Sequence, residues 1–423
     1  MQNRSIPPST STLRQPQSTA ALLLEEIIDC VFDFLYRETA GITRDKTLSD
    51  LSVVTPNWTA AARRRLFRDV RIRSLLHFKE LLVMEDSKLL VVRTLNVNFV
   101  KCGSRGREVD TDGLNSEALF KLLQKTPNLV ELVVVGSSFG NFHPADSIIM
   151  RTSLLLPHLT KLKIITHDIP FPVLLDLLTT SNGRISHLSC VDYPYTGPIS
   201  PPDSPLDFGR NLRYLSTEGT LNQSLLDSSR VVLGSLVGLE KLVVGVDSRG
   251  VSCSRMKGVF DVVAESLKEL VVTGGADNVA QDLPSLTRLT HLTMDSVARS
   301  LTALRYLPPL LSFLFLNSDD GIAPFLESWK ETPGTAPPNL RHLGIGTIHD
   351  EQTWDRLLPI EKFTAYWNSN VEQILEGFTP RSVPFRVLEL KFRRSAMDAE
   401  LEGTKGECAR LGIELLLRKP DYS

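Results

Sequence analysis

The chain has 423 residues, 42% of them hydrophobic, with 47 Lys and Arg against 49 Asp and Glu and a formal net charge of −2. That balance gives no general attraction for nucleic acid or an anionic membrane, while the apolar fraction is ample for a large core. Five scattered cysteines (Cys30, Cys102, Cys190, Cys253, Cys408) show no paired spacing, which argues against a disulfide framework or a zinc motif and for a reducing compartment, cytoplasmic or nuclear.

Residues 1–19 are rich in Ser, Thr, Pro and Gln and are expected to form a disordered tail. Ala20–Tyr36 has helical spacing. Leu23, Ile27, Val31 and Leu35 recur every four residues, and the acids Glu25, Glu26 and Asp29 sit early, where the helix dipole favours them. Leu48–Leu66 is a second apolar-patterned segment, interrupted at Pro56, and Phe67–Ile72 alternates like a strand. No apolar run approaches the roughly 18 residues of a membrane span, so no membrane partner is expected.

These segments resemble the F-box, in particular the F-box-like family of fungi. In that family an L-P-x-E-I-I opening helix precedes a segment ending in V-x-x-x-W and a basic stretch with Leu-Phe. The matching positions are Leu23, Glu26, Ile27, Ile28, Val31, Leu48, Leu51, Val54, Trp58, Leu66, Phe67 and Val70. Leu24 stands where the family has Pro, and Thr55-Pro56-Asn57 precedes the Trp. The resemblance implies a helical module, residues 20–75, that docks on the Skp-type adaptor of a cullin ubiquitin ligase. The side chains it implies for that contact are Leu23, Glu26, Ile27, Ile28, Val31, Leu51, Val54 and Trp58. From the residues alone, the same segment also reads as a helical cap over the first repeat of a solenoid. Arg63-Arg64-Arg65 lacks the interleaved aromatics of a nucleic-acid patch and reads as a solvated helix face.

His77–Val92 is predicted helical and Arg93–Phe99 a strand. A phrase then recurs: NLVELVVV, HLTKLKII, RISHLSC, NLRYL, GLEKLVV, SLKELVV, RLTHLTM, LLSFLFL and NLRHLGI. Its central leucines fall at 132, 162, 188, 215, 242, 270, 292, 314 and 343, so successive subtraction gives 30, 26, 27, 27, 28, 22, 22 and 29. Such spacing clusters in the window of roughly 20–29 residues of leucine-rich repeats, units that bury an apolar face only by stacking. Pro127, Pro157, Pro309 and Pro338 each punctuate the approach to a strand, and returning segments such as Met256–Ser266 and Ile322–Trp329 lie between strands. Tyr193–Phe208 is a Pro-rich surface loop. The phrase returns at FRVLEL, where 388 − 343 = 45, so a helical insertion is expected near 351–378. Ala399–Leu417 reads as a helix followed by a last strand.

The fold class expected is therefore α/β. A leucine-rich-repeat solenoid spans residues 76–423, an irregular horseshoe with parallel strands on its concave face, preceded by the small all-helical module. The position that usually carries a buried Asn or Cys holds Ser137, His167, Thr220, Asp247, Gly275, Val297 and Ile348, so irregular curvature is expected.

Alternation along each strand sends the leucines inward and their neighbours to the opposite face. The residue before each central leucine is Glu131, Lys161, His187, Tyr214, Lys241, Glu269, His291, Phe313 or His342. This mixed row of charged and aromatic groups suits recognition of a protein substrate. Three histidines at one register position do not make a metal site, because strands about 4.8 Å apart cannot bring them within the roughly 2.1 Å that zinc requires. With no P-loop, G-x-S-x-G or H-E-x-x-H, no catalytic residue, cofactor or metal is expected. The resemblance implies a non-catalytic substrate-recognition subunit of a cullin-type ubiquitin ligase. A leucine-rich-repeat scaffold or sensor without a ubiquitin role is the alternative.

Overall fold

The computed structural model describes residues 27, 30–31, 49–50, 65–72, 75–98, 121–136, 156–166, 184–191, 209–218, 232–245, 254–273, 279, 281–295, 307–317, 322–331, 336–346, 373–391 and 401–418. Thirteen strands occur among them: β1 Asp69–Ile72, β2 Thr94–Asn98, β3 Glu131–Gly136, β4 Lys161–Thr166, β5 His187–Val191, β6 Tyr214–Glu218, β7 Lys241–Gly245, β8 Glu269–Thr273, β9 His291–Asp295, β10 Phe313–Asn317, β11 His342–Gly346, β12 Val387–Lys391 and β13 Glu414–Arg418. They form a single sheet in sequence order, and every neighbouring pair is parallel. This is a leucine-rich-repeat solenoid. Parallel neighbours require a crossover after every strand, so each repeat is one strand plus one return. β1 coincides with the alternating Phe67–Ile72 and pairs with β2, so the sheet begins inside the segment assigned from sequence to the helical module.

The register is continuous. Leu132, Leu162, Leu188, Leu215, Leu242, Leu270, Leu292, Leu314, Leu343 and Leu388 are Cα partners in succession, and all are buried. The leucine three residues earlier, such as Leu129, Leu239 and Leu340, is buried too but lies outside the strand. There its N–H closes a turn on the carbonyl three residues back, as in Leu129 to Thr126, Leu159 to Leu156, Leu311 to Pro308 and Leu340 to Pro337. Pro127, Pro157, Pro309 and Pro338 each occupy the second position of such a turn, where a fixed φ near −65° is pre-organised. The prolines therefore shape the entry to the strand, which begins four residues after them.

A ladder of backbone carbonyls ties the repeats together at this corner. The carbonyl of Val130 accepts the N–H groups of both Thr160 and Lys161, Thr160 those of Ser186 and His187, and Lys268 those of Thr290 and His291. The same bifurcated pattern runs from Arg68 to Arg341. Where the corner residue is Ser or Thr, its hydroxyl adds a bond to the same carbonyl: Ser186 Oγ to Thr160 at 3.2 Å, Thr290 Oγ1 to Lys268 at 3.0 Å and Ser312 Oγ to Thr290 at 3.1 Å. The positions of the usual Asn or Cys lie outside the described residues, so the expectation drawn from them does too.

Returning segments cover the leucine face. Helix α1 (Leu75–Val83) and the short α2 (Asp86–Leu89) replace the single helix expected over His77–Val92, because Glu85 leaves the helical region at ψ 135°. Helix α3 (Ser254–Val263) buries Val259, Phe260 and Val263 and exposes Lys257 and Asp261. Helix α4 (Ile322–Glu331) buries Leu326 and Trp329 one turn apart, with Glu327 and Lys330 outward. Of the insertion expected near 351–378, the described part contains α5 (Gln373–Glu376), with Leu375 and Phe378 buried. Helix α6 (Glu402–Leu411) buries Thr404, Cys408 and Leu411 on one stripe. Arg410 on its exposed side donates to the carbonyls of Leu375 at 2.9 Å and Phe378 at 3.2 Å, which satisfies the carbonyl end of α5.

Candidate functional site

The face of the sheet opposite the leucines carries the row expected from sequence. Glu131, Lys161, His187, Tyr214, Lys241, Glu269, His291, Phe313 and His342 are consecutive Cα partners on β3 to β11, and each is exposed or half-buried. Asp69 and Thr94 continue the row at one end, and Val387 and Glu414 at the other.

Neighbours in this row interact. His187 stacks on Tyr214 with ring centroids 5.8 Å apart, and Lys241 Nζ lies 5.7 Å from the centre of the same tyrosine ring. Lys241 also pairs with Glu269 at 2.6 Å, so its charge is shared between an aromatic face and a carboxylate. Further along, Phe313 lies between two imidazoles, 5.5 Å from His291 and 4.6 Å from His342. His342 Nε2 contacts Glu389 Oε2 on β12 at 2.8 Å.

Corner hydroxyls orient two of the histidines. Ser186 Oγ is 2.8 Å from His187 Nδ1, and Thr290 Oγ1 is 2.9 Å from His291 Nδ1. Each hydroxyl also reaches the carbonyl of the preceding repeat, so the Nδ1 edge of each ring is turned to the corner of the sheet.

Two titratable groups at the first half of the row are shifted, with partial burial the largest cause of each. Burial lowers the His187 pKa, the Lys161 ammonium lowers it further, and Glu131 acts the other way with less weight. The Asp69 carboxyl is pushed up, mainly by burial and to a lesser degree by Glu131, against a hydrogen bond from Thr94.

The residues after the central leucines form a second row, Val133, Lys163, Ser189, Ser216, Val243, Val271, Thr293, Phe315 and Gly344. Val133, Ser189, Ser216, Val243 and Phe315 are buried on it and Lys163 is exposed. Small side chains flanked on both sides by strands about 4.8 Å away lose most of their accessible surface. The open face thus has a nearly flat, small-residue floor beside a wall of larger groups.

Two side-chain contacts of the site escaped sequence reasoning. Glu389 partners His342 across 47 residues, because the insertion breaks the repeat spacing. Phe315 stacks parallel to Phe313 at 6.5 Å, a pairing signalled only by its i, i+2 spacing. At the other end of the chain Ile27, Cys30 and Val31 are helical, and Ile27 and Val31 are 52% and 40% exposed. The other residues expected at the adaptor contact, Leu23, Glu26, Ile28, Leu51, Val54 and Trp58, lie outside the described residues. Among the described residues, no group of three or more His, Cys, Asp or Glu side chains is placed to hold a metal ion, and no helix is long and apolar enough to cross a membrane.

No family model matches the chain, and none of the curated proteins compared with it matches either. Solved structures resemble it in the course of the backbone. A yeast complex of Rad7 and Elc1 contains a chain that aligns over 95% of this chain and 94% of its own length, with 16% identity and a TM-score of 0.41. The leucine-rich-repeat-containing protein LegL7 from Legionella pneumophila aligns over 64% of this chain and 81% of its own length, with 13% identity and a TM-score of 0.35.

Proposed function

We propose that this chain is the non-catalytic substrate-recognition subunit of a cullin-type ubiquitin ligase, in the manner of the fungal F-box proteins. The N-terminal helical module would bind a Skp-type adaptor, and the open face of the sheet would bind a protein substrate. One observation carries the adaptor half of this reading. Ile27 and Val31 are one helical turn apart and large, apolar and outward-facing, at 52% and 40% exposure. A helix serving only to cap the first repeat would turn these side chains inward, whereas a docking helix presents them. The substrate half rests on the continuous row from Glu131 to His342 with its aromatic and charged anchors.

On this reading the chain contributes no reacting group. Its effect on rate is proximity, holding a target lysine beside a charged conjugating enzyme. The work would be done in the cytoplasm or nucleus, where the exposed Cys30 stays a thiol.

Co-expression with a Skp-type adaptor and pull-down tests the proposal, comparing wild type with Ile27→Asp/Val31→Asp. Both positions are exposed, so the variant should fold. A stoichiometric complex that the variant loses supports the reading. Soluble, folded wild type that captures no adaptor defeats it, and the chain is then a repeat scaffold.

A further inference from the structure

We propose that the open face of the sheet binds an extended peptide segment through two separated anchors: an acidic side chain gripped by Lys161 and Lys163 of β4, and a bulky apolar side chain seated on Phe313 and Phe315 of β10, about nine residues along the segment. This rests on the open face being the substrate surface, and it names the chemistry of what that surface takes.

Charge defines the first anchor. Lys161 and Lys163 project from the same side of β4, both exposed, and no ion pair to either occurs among the described residues. Lys161 is felt next door, where it disfavours protonation of His187 more strongly than its register partner Glu131 favours it. The next lysine of the row differs. Lys241 is already satisfied by Glu269 and the Tyr214 ring. Among the described residues, the cations of the row without an ion pair that an incoming carboxylate would meet are therefore on β4.

The second anchor is built as well as apolar. Phe313 is held between His291 and His342, and His342 is itself fixed by Glu389. Phe315 packs against Gly344, where any Cβ would have to displace the ring. The aromatic pair is immobilised before a ligand arrives, so little side-chain entropy is lost on contact.

Spacing comes from the sheet. β4 and β10 are six strands apart, or about 29 Å at roughly 4.8 Å per strand. An extended segment advances about 3.3 Å per residue and covers that distance in about nine residues, whereas a helix at 1.5 Å per residue needs about nineteen. Between the anchors the floor is Ser189, Ser216, Val243, Val271 and Thr293, small and uncharged, which leaves room for a peptide backbone beside the larger row.

Random 16-residue peptides displayed on phage and panned against the full chain, without any adaptor, test this. Enriched peptides are expected to carry Asp or Glu with Phe, Leu or Trp eight to ten residues away. By fluorescence anisotropy they should lose roughly tenfold or more in affinity to Lys161→Glu/Lys163→Glu and to Phe313→Ala, the size of loss that marks a hot spot. A Lys88→Glu control, far from the face, should bind like wild type. Circular dichroism checks that each variant folds. The proposal is overturned if nothing is enriched, if enriched peptides lack the paired anchors at that spacing, or if both variants bind them as wild type does. Because no adaptor is present, failure here leaves the adaptor reading standing, and failure of adaptor binding leaves this one intact.

Discussion

The ring of Phe315 on β10 occupies the volume that a Cβ on its register partner Gly344, on β11, would need. The missing side chain on one strand is filled by a large one on the next. Gly344→Ala must push the ring off its seat, and overpacking of this kind costs about 1–3 kcal/mol. Urea unfolding should show that loss. In a Phe315→Ala background, itself destabilised, the same Gly344→Ala change should cost much less, since the overlap is gone. Simple additivity of the two losses would show that the contact is not the cause.

The repeats were legible because their signal is redundant. One leucine at each central position, repeated from Leu132 to Leu343, fixed both the register and the inward face, and the order of residues on the open face followed from alternation. Less was readable where the period fails. The phrase at FRVLEL sets Leu388 in line with Leu343 across the insertion, but the contact of Glu389 with His342 is a side-chain pairing that the phrase does not show. The point at which each strand begins is hidden for a local reason. In NLVEL the first leucine is buried as deeply as the second, yet it belongs to a turn whose closing bond is invisible in an apolar pattern. Lateral crowding by neighbouring strands, which alternation does not show, buries much of the second row of the open face.

Stability should follow the leucine face and not the surface ion pairs. Leu292 is fully buried between Leu270 and Leu314, so Leu292→Ala is expected to cost about 2–5 kcal/mol. The Lys241–Glu269 pair joins side chains that are 36% and 38% exposed, and Glu269→Gln should cost less than about 1 kcal/mol. Parallel urea titrations decide this, and a Glu269→Gln loss comparable to that of Leu292→Ala would reverse the ranking.

Helix α6 ends on a tight motif at Gly412, whose φ is 69°. Its N–H donates to Ala409, and the N–H of Ile413 reaches back to Cys408 at 2.8 Å. This is a Schellman ending, with buried Ile413 over buried Cys408. Space around Gly412 is open, so Gly412→Ala meets no clash and the whole cost is left-handed backbone, about 1–2 kcal/mol. Gly412→Asn should cost less, because Asn tolerates this region better. Equal losses for Ala and Asn would point to packing and away from φ.

His187 links the charge of the open face to pH. Burial first and Lys161 second hold its folded pKa below the ordinary imidazole value of about 6.5. The unfolded chain therefore binds the proton first as pH falls. This residue's contribution to stability is complete above about 6.5, declines as pH drops below that value, and levels off only once pH passes the lower folded pKa. Lys161→Gln removes the second cause and leaves the first, so the titration should move up without reaching the ordinary value. Glu131→Gln removes the opposing charge and should move it further down. Imidazole proton shifts followed by NMR across the acid range read both. An unchanged or lowered midpoint in Lys161→Gln would mean that burial alone sets this histidine, and that β4 presents less positive potential to the open face than its two lysines suggest.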